Sequence, residues 1–223
     1  MRVFLYSLAG IPLLFADAVL LYALAPRLAR HFTPLEGAAM LGGAAAYAAL
    51  RMLLRKPERM YLWAHELTHL AAAKLFLRPV HGFHISSRSG GKGVIDRTHV
   101  ALDLAPYAIP LYNAILLVPA ALLRGSHPYA GHAYLGAAAF LLAMHLHFSA
   151  EGFLDGQPDV CRSGRLFSAA VVVFFLLLWL PFLTAPVTHG GFRGLPPFYR
   201  GWAGEGMELA GMLVSRGFQA ISR

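Results

Sequence analysis

Apolar runs of about twenty residues recur along this chain, near 3–25, 35–54, 101–123, 129–148 and 166–184, and they limit its fold more than any other feature. Twenty residues rising 1.5 Å each cover the roughly 30 Å hydrocarbon core of a bilayer. Lipid offers the backbone no hydrogen-bond partners, so such a run must close its own N–H and C=O groups into a helix. Composition agrees, with 57% hydrophobic and only 13% charged residues and a mean hydropathy of +0.55. The expectation is an all-α polytopic membrane protein of about six transmembrane helices. It comprises one membrane domain over 1–185 and a C-terminal tail over 186–223.

The opening run follows Arg2 and has the length of a full span, so we read it as a retained first helix, not a cleaved leader. The net charge of +8 is scattered between apolar runs, with no basic stripe carrying stacking aromatics, so it reads as membrane-edge anchoring and not as a nucleic-acid surface. Lys and Arg divide almost evenly between the two sides of a six-span arrangement, which leaves orientation open. The single cysteine, Cys161, excludes an intrachain disulfide and a thiolate cluster. Any metal must therefore rest on His, Asp and Glu.

The sixth helical segment, third in chain order, is 59–78, RMYLWAHELTHLAAAKLFLR, expected to start near Pro57 and end near Leu77. Residues four apart on a helix lie about 40° apart around the axis, so His65 and His69 present imidazoles to one point. Glu66 sits beside them. Two histidines and a carboxylate in an apolar span are costly unless they bind something. The His-Glu-x-x-His spacing of zincins gives two neutral nitrogen ligands to zinc and a glutamate that takes a proton from the attacking water.

The other runs carry their own polar marks. Asp17 falls near the middle of the first; the second, with MLGGAAAYAAL, offers small residues for close helix packing. Arg51, Arg55, Lys56 and Arg59 are read as a basic loop ahead of the HELTH helix. After that helix, Gly82–Ser86 and Gly93–Asp96 look like two short strands around a Gly90-Gly91 turn, a β-hairpin whose edge suits an extended peptide. His81, His84 and His99 lack a tight ligand spacing and read as loop residues. Pro106, Pro110, Asn113 and Pro119 predict a kinked or partly unwound span over 101–123. His145 and His147 point about 160° apart on a helix, so at most one faces an interior site. From Ala185 the tail is rich in Gly, Pro and aromatics, and Glu205 to Ile221 forms a weak amphipathic helix suited to a membrane surface.

A catalytic zinc site usually has three protein ligands and one open position. The candidates for the third are Asp155, Asp159, Glu151, Asp103 and Asp17, and turn positions at a span end favour the 151–159 cluster. A gluzincin-type arrangement would use Glu151 with Asp155, although Gly152 and Gly156 weaken a helix there.

HELTH on a membrane-embedded helix, a Gly-rich hairpin after it, and Leu154-Asp155-Gly156 at a later span resemble the site-2 protease family of intramembrane zinc metalloproteases. The resemblance covers roughly 59–168. It implies His65 and His69 as zinc ligands, Glu66 as general base and Asp155 as the aspartate of an LDG-type motif. The chain departs from the family in lacking an Asn-Pro-type signature before that aspartate and a PDZ-like insertion. Gln157-Pro158-Asp159 offers a second aspartate. Pro158 fixes the local backbone, which favours Asp159 as third ligand with Asp155 as the alternative.

The expected activity is hydrolysis of a peptide bond in or near a transmembrane segment of another membrane protein, with Asn113 or His145 helping to hold substrate. The expected setting is a multi-pass protein of a bacterial or archaeal cell membrane, in contact with lipid and a protein or peptide substrate. Two other classes stand beside this one: a non-catalytic membrane scaffold that retains the fold, and a zinc hydrolase of lipids or other non-peptide substrates.

Overall fold

Helices form along the apolar runs, and prolines and glycines set where they bend and stop. The structure, a computed structural model, describes residues 2–53, 58–86, 90–95, 99–122, 127, 129–188 and 190–222. Arg55, Lys56, Pro57 and Asp96 lie outside the described residues. The chain runs α1 (Arg2–Ala29), α2 (Pro34–Leu53), α3 (Glu58–Leu75), β1 (Val80–Ser86), β2 (Gly90–Ile95), α4 (Val100–Ala108), α5 (Leu111–Leu122), α6 (Ala130–Leu154), α7 (Pro158–Arg162), α8 (Arg165–Thr184), a 3-10 turn (Gly191–Gly194) and α9 (Leu195–Ile221).

Among the described residues, three helices are by length and composition apolar enough to cross a membrane: α1, α6 and α8. The α4–α5 pair, bent by 58°, makes a fourth if it crosses as one broken span. This corrects the expected six. The Ala- and Gly-rich α2 is too weakly apolar, and α3 carries Arg59, His65, Glu66, His69 and Lys74 within 18 residues.

Proline explains both a bend and an overrun. The residue before a proline is pushed out of the helical region, and Ile109, before Pro110, is extended at φ −114°, ψ 108°. There the helical run breaks into α4 and α5. At the end of α1, by contrast, the helix was expected to close at Ala25 but continues to Ala29. Pro26 forfeits only its own N–H, while its carbonyl still accepts the Arg30 amide at 3.3 Å. Arg27 beyond it is held by Glu205 of α9 at 2.6 Å.

Local capping sets other limits. Thr33 and Glu36 form a reciprocal capping box at the start of α2, with the Thr33 amide on Glu36 at 2.8 Å and the Glu36 amide on Thr33 Oγ1 at 3.3 Å. α3 ends in a Schellman motif: Arg78 N–H reaches Ala73 O at 2.8 Å and Leu77 N–H reaches Lys74 O at 3.1 Å, with Leu77 at φ 52°.

The two strands pair antiparallel and pack against α3, with Ile85 opposite Gly91 and Ser86 opposite Gly90. Gly90 and Gly91 therefore belong to β2 and not to the turn. Arg51 likewise lies in α2, not in a loop. On the other side, α2 lies along α6. The approach is so close that a Cβ on Gly43 would overlap the Gly136 carbonyl, which fits the small-residue reading of this helix.

The largest departures are in α6 and α9. α6 was expected to end near Phe148 but runs to Leu154, straight through Gly152. That glycine is there for space: a Cβ would stand 2.9 Å from Tyr107 Cε1. The tail helix, expected from Glu205, starts ten residues earlier at Leu195, because Pro196 and Pro197 occupy its first turn, where their missing N–H groups cost nothing. α9 is pinned to the bundle by Trp202 Nε1 donating to Leu20 O at 2.8 Å and Tyr199 OH donating to Leu178 O at 2.6 Å.

Candidate metal centre

The helical spacing of α3 brings the His65 and His69 rings to 4.8 Å between centroids, nearly perpendicular at 80°. Asp159 reaches them from α7, where Pro158 occupies the first turn. Its Oδ2 lies 3.6 Å from His65 Nε2 and 3.3 Å from His69 Nε2. Among the described residues these three form the candidate metal-binding group, their ligand atoms all within 4.8 Å of one another.

Whether a cation fits can be tested on the hydrogen bonds. His69 Nδ1 is 2.9 Å from the Leu102 carbonyl, which can only accept, so Nδ1 carries the hydrogen. In the neutral ring Nε2 then presents a lone pair to a carboxylate oxygen. Two acceptors facing each other at 3.3 Å need a proton or a metal ion between them. Around a four-coordinate zinc with ligands at 2.0–2.1 Å, neighbouring ligand atoms stand about 3.4 Å apart. The distances of 3.3 and 3.6 Å bracket that edge.

A layer of supporting contacts orients the three groups. His65 Nδ1 lies 3.4 Å from the Tyr61 hydroxyl, and Tyr61 is itself stacked on Phe148 at 4.5 Å. The other carboxylate oxygen of Asp159, Oδ1, faces Arg162 Nη1 at 3.4 Å, and that same nitrogen donates to Asp103 Oδ1 at 2.8 Å. Burial works against the Asp159 charge, but the contacts with His65 and His69 outweigh it and hold its carboxyl well below the usual carboxylate range. Behind His65, Tyr107 is fully enclosed, its ring 5.3 Å from the imidazole and its hydroxyl donating to Gln157 at 2.7 Å just ahead of α7.

Glu66 is buried beside the ligands at 6% exposure. Asn113 and His145 line a cavity of about 10 Å³ together with His65 and Tyr61. Asn113 Nδ2 donates to Ala138 O at 2.8 Å, while its Oδ1 is buried with no partner. His145 Nε2 lies 2.8 Å from the Tyr107 carbonyl, and His147 turns the other way to Arg51 and Glu151 at 3.3 Å each.

The remaining acidic candidates sit elsewhere. Asp155 is the exposed C-cap residue of α6. Glu151 pairs with His147 and Arg51 at the α2–α6 interface. Asp17 is buried in α1, outside the group, with neither oxygen partnered. Asp103 enters only through Arg162. His99 precedes α4 and packs against Phe76; the side chains of His81 and His84 lie outside the described residues.

Sequence reasoning missed Arg162, Tyr107 and Gln157. Only Arg162 left a local signal, at i+3 from Asp159 on a helix. Comparison of the chain with protein-family models, curated proteins and solved structures finds no match.

Proposed function

We propose that this chain is a multi-pass membrane zinc metallopeptidase of the site-2 protease type, acting on peptide bonds in or near a transmembrane segment of a membrane-protein substrate. The observation that carries the reading is the convergence of Asp159 on the two histidines of HELTH, with a nitrogen lone pair facing a carboxylate oxygen. An all-nitrogen-and-oxygen set, with both carboxylate-to-imidazole separations near the edge length of a zinc tetrahedron, supports zinc.

His65 and His69 would hold the ion through Nε2 and Asp159 through Oδ2. When bound, the ion supplies Lewis acidity, making a water nucleophilic near neutral pH and polarising the scissile carbonyl. Glu66 accepts the proton of that water and returns it to the leaving amine. The partnerless Asn113 Oδ1 and the neighbouring His145 are the groups that would hold a substrate amide beside His65. A helical substrate hides its carbonyls in its own hydrogen bonds, so it must unwind first. The strand pair packed on α3 offers an edge on which an extended segment can rest.

The test is zinc content and peptide hydrolysis measured side by side on protein reconstituted in vesicles. Wild type should contain one zinc per chain and cleave a transmembrane substrate, while Glu66→Gln keeps the zinc and loses cleavage by orders of magnitude. Zinc-free wild type purified under zinc-replete conditions counts against the reading. Cleavage of lipid with no cleavage of peptide would move the site to another substrate class.

A further inference from the structure

We propose that Arg162 is a positioning residue that commits Asp159 to the metal through a single oxygen, and that Asp103 holds Arg162 in that role; the assignment rests on the metal centre described above. The two oxygens of Asp159 are divided between partners. Oδ2 faces both imidazoles at 3.3 and 3.6 Å, whereas Oδ1 faces the Arg162 guanidinium at 3.4 Å. A carboxylate with both oxygens free beside a divalent cation can bind through either or both. Binding through both would fill the position that a catalytic zinc keeps open for water. A guanidinium on Oδ1 discourages that mode.

Arg162 would be a poor choice for this place on its own, since its charge repels the cation it serves. Asp103 offsets it. That carboxylate is buried at 3% exposure on α4 and accepts from the same Nη1 at 2.8 Å, so the ion faces a nearly neutral pair. The neighbouring residue Leu102 supplies the carbonyl that orients His69. One turn of α4 thus orients a ligand from α3 directly and a ligand from α7 through Arg162.

Cobalt makes this testable without any activity assay, because four-coordinate Co2+ gives far more intense visible d–d bands than five- or six-coordinate Co2+. The full chain, purified in detergent and stripped of metal, is titrated with Co2+, and affinity is read by competition with a chelator. Wild type should give intense four-coordinate bands. Arg162→Gln should give weak bands and bind about 10- to 100-fold less tightly, with Arg162→Lys recovering part of both. Asp103→Asn should weaken binding in the same direction. The double variant Asp103→Asn/Arg162→Gln should be no worse than the poorer single one, since the two act as a unit.

Wild-type bands and affinity in folded Arg162→Gln, or fully additive losses in the double variant, would overturn the assignment. If Arg162→Gln does not fold, Arg162→Lys and Asp103→Asn decide: unchanged spectra and affinities in both overturn it equally. A wild-type protein that takes up no cobalt overturns the metal centre itself and this assignment with it, whereas uptake with indifferent variants overturns the assignment alone.

Discussion

Asp159 Oδ2 lies 3.3 Å from His69 Nε2, although the two residues are 90 positions apart in the chain. The contact closes α7 onto α3, and it selects one acidic residue from a run that offers three, Glu151, Asp155 and Asp159.

Substitution of the three should therefore separate cleanly. Asp159→Ala should lower zinc affinity more than about 100-fold, since it removes one of three ligands and not merely a supporting contact. Asp155→Ala, at an exposed helix cap, should leave zinc occupancy unchanged. Glu151→Ala should cost a little stability at the α2–α6 interface and no metal. Zinc per chain, measured on variants with matched elution profiles, checks this, and loss of metal in Asp155→Ala alone would restore the LDG assignment.

Chelation should lower the melting temperature without unfolding the protein. His69 is also held by the Leu102 carbonyl and Asp159 by the Arg162 guanidinium, contacts that do not need an ion. Zinc at about 1,000 times its dissociation constant should stabilise by about 4 kcal/mol, and adding it back should restore the original melting curve. Thermal scans in detergent before and after chelation measure this. Collapse to an unfolded, aggregating state on chelation would show that the ion, and not the helices, holds α3 and α7 together.

In the metal-free protein the Asp159 carboxyl should also leave a signature in pH. Its folded-state value lies below its unfolded value, so its contribution is fully present above about pH 3.9 and is lost as pH falls through the lower folded value. The gap in melting temperature between metal-free wild type and metal-free Asp159→Asn should be present at about pH 5, where a proton bridges carboxylate and imidazole, hold to about pH 4 and narrow below it. A gap that closes between pH 7 and 5 would point to a different titrating group.

Two glycines should respond in opposite senses to the same change. At Gly152 a new methyl group meets the Tyr107 ring at 2.9 Å, and overpacking of this kind costs about 1–3 kcal/mol. At Gly37 nothing lies within 4 Å, so Gly37→Ala in α2 should stabilise by about 0.5–1 kcal/mol through helix propensity alone. Melting temperatures of the two alanine variants decide the matter; equal shifts would mean that Tyr107 yields without cost.

Apart from Asp159, favoured as a partner of the two histidines 90 residues away, what could be read from the chain alone was local. Four-residue spacing placed His65 and His69 on one face, and prolines at 106 and 110 announced the broken run that becomes α4 and α5. The departures came from contacts the spacing does not carry. Gly152 reads as a weak point in a helix until Tyr107 is known to fill the space above it. The Gly-, Pro- and aromatic-rich tail gave no sign of a helix before Glu205, yet Pro196 and Pro197 are accepted in the first turn of α9. The Arg162–Asp103 pair spans 59 residues and left only the short-range hint of Arg162 beside Asp159. The number of spans was overcounted because α2 and α3 have spanning length without the apolarity to match.

The space beside His65 bears on pace as well as on chemistry. At about 10 Å³ it admits roughly one water and no peptide side chain. Before a substrate can lie against Asn113 and His145, α4 and α5 must move relative to α3 and α6, a rearrangement of packed helices on a microsecond-to-millisecond or slower scale. On the proposed peptidase reading the parting of these helices precedes each cleavage, so conditions that loosen the bundle should quicken turnover while those that tighten it slow turnover.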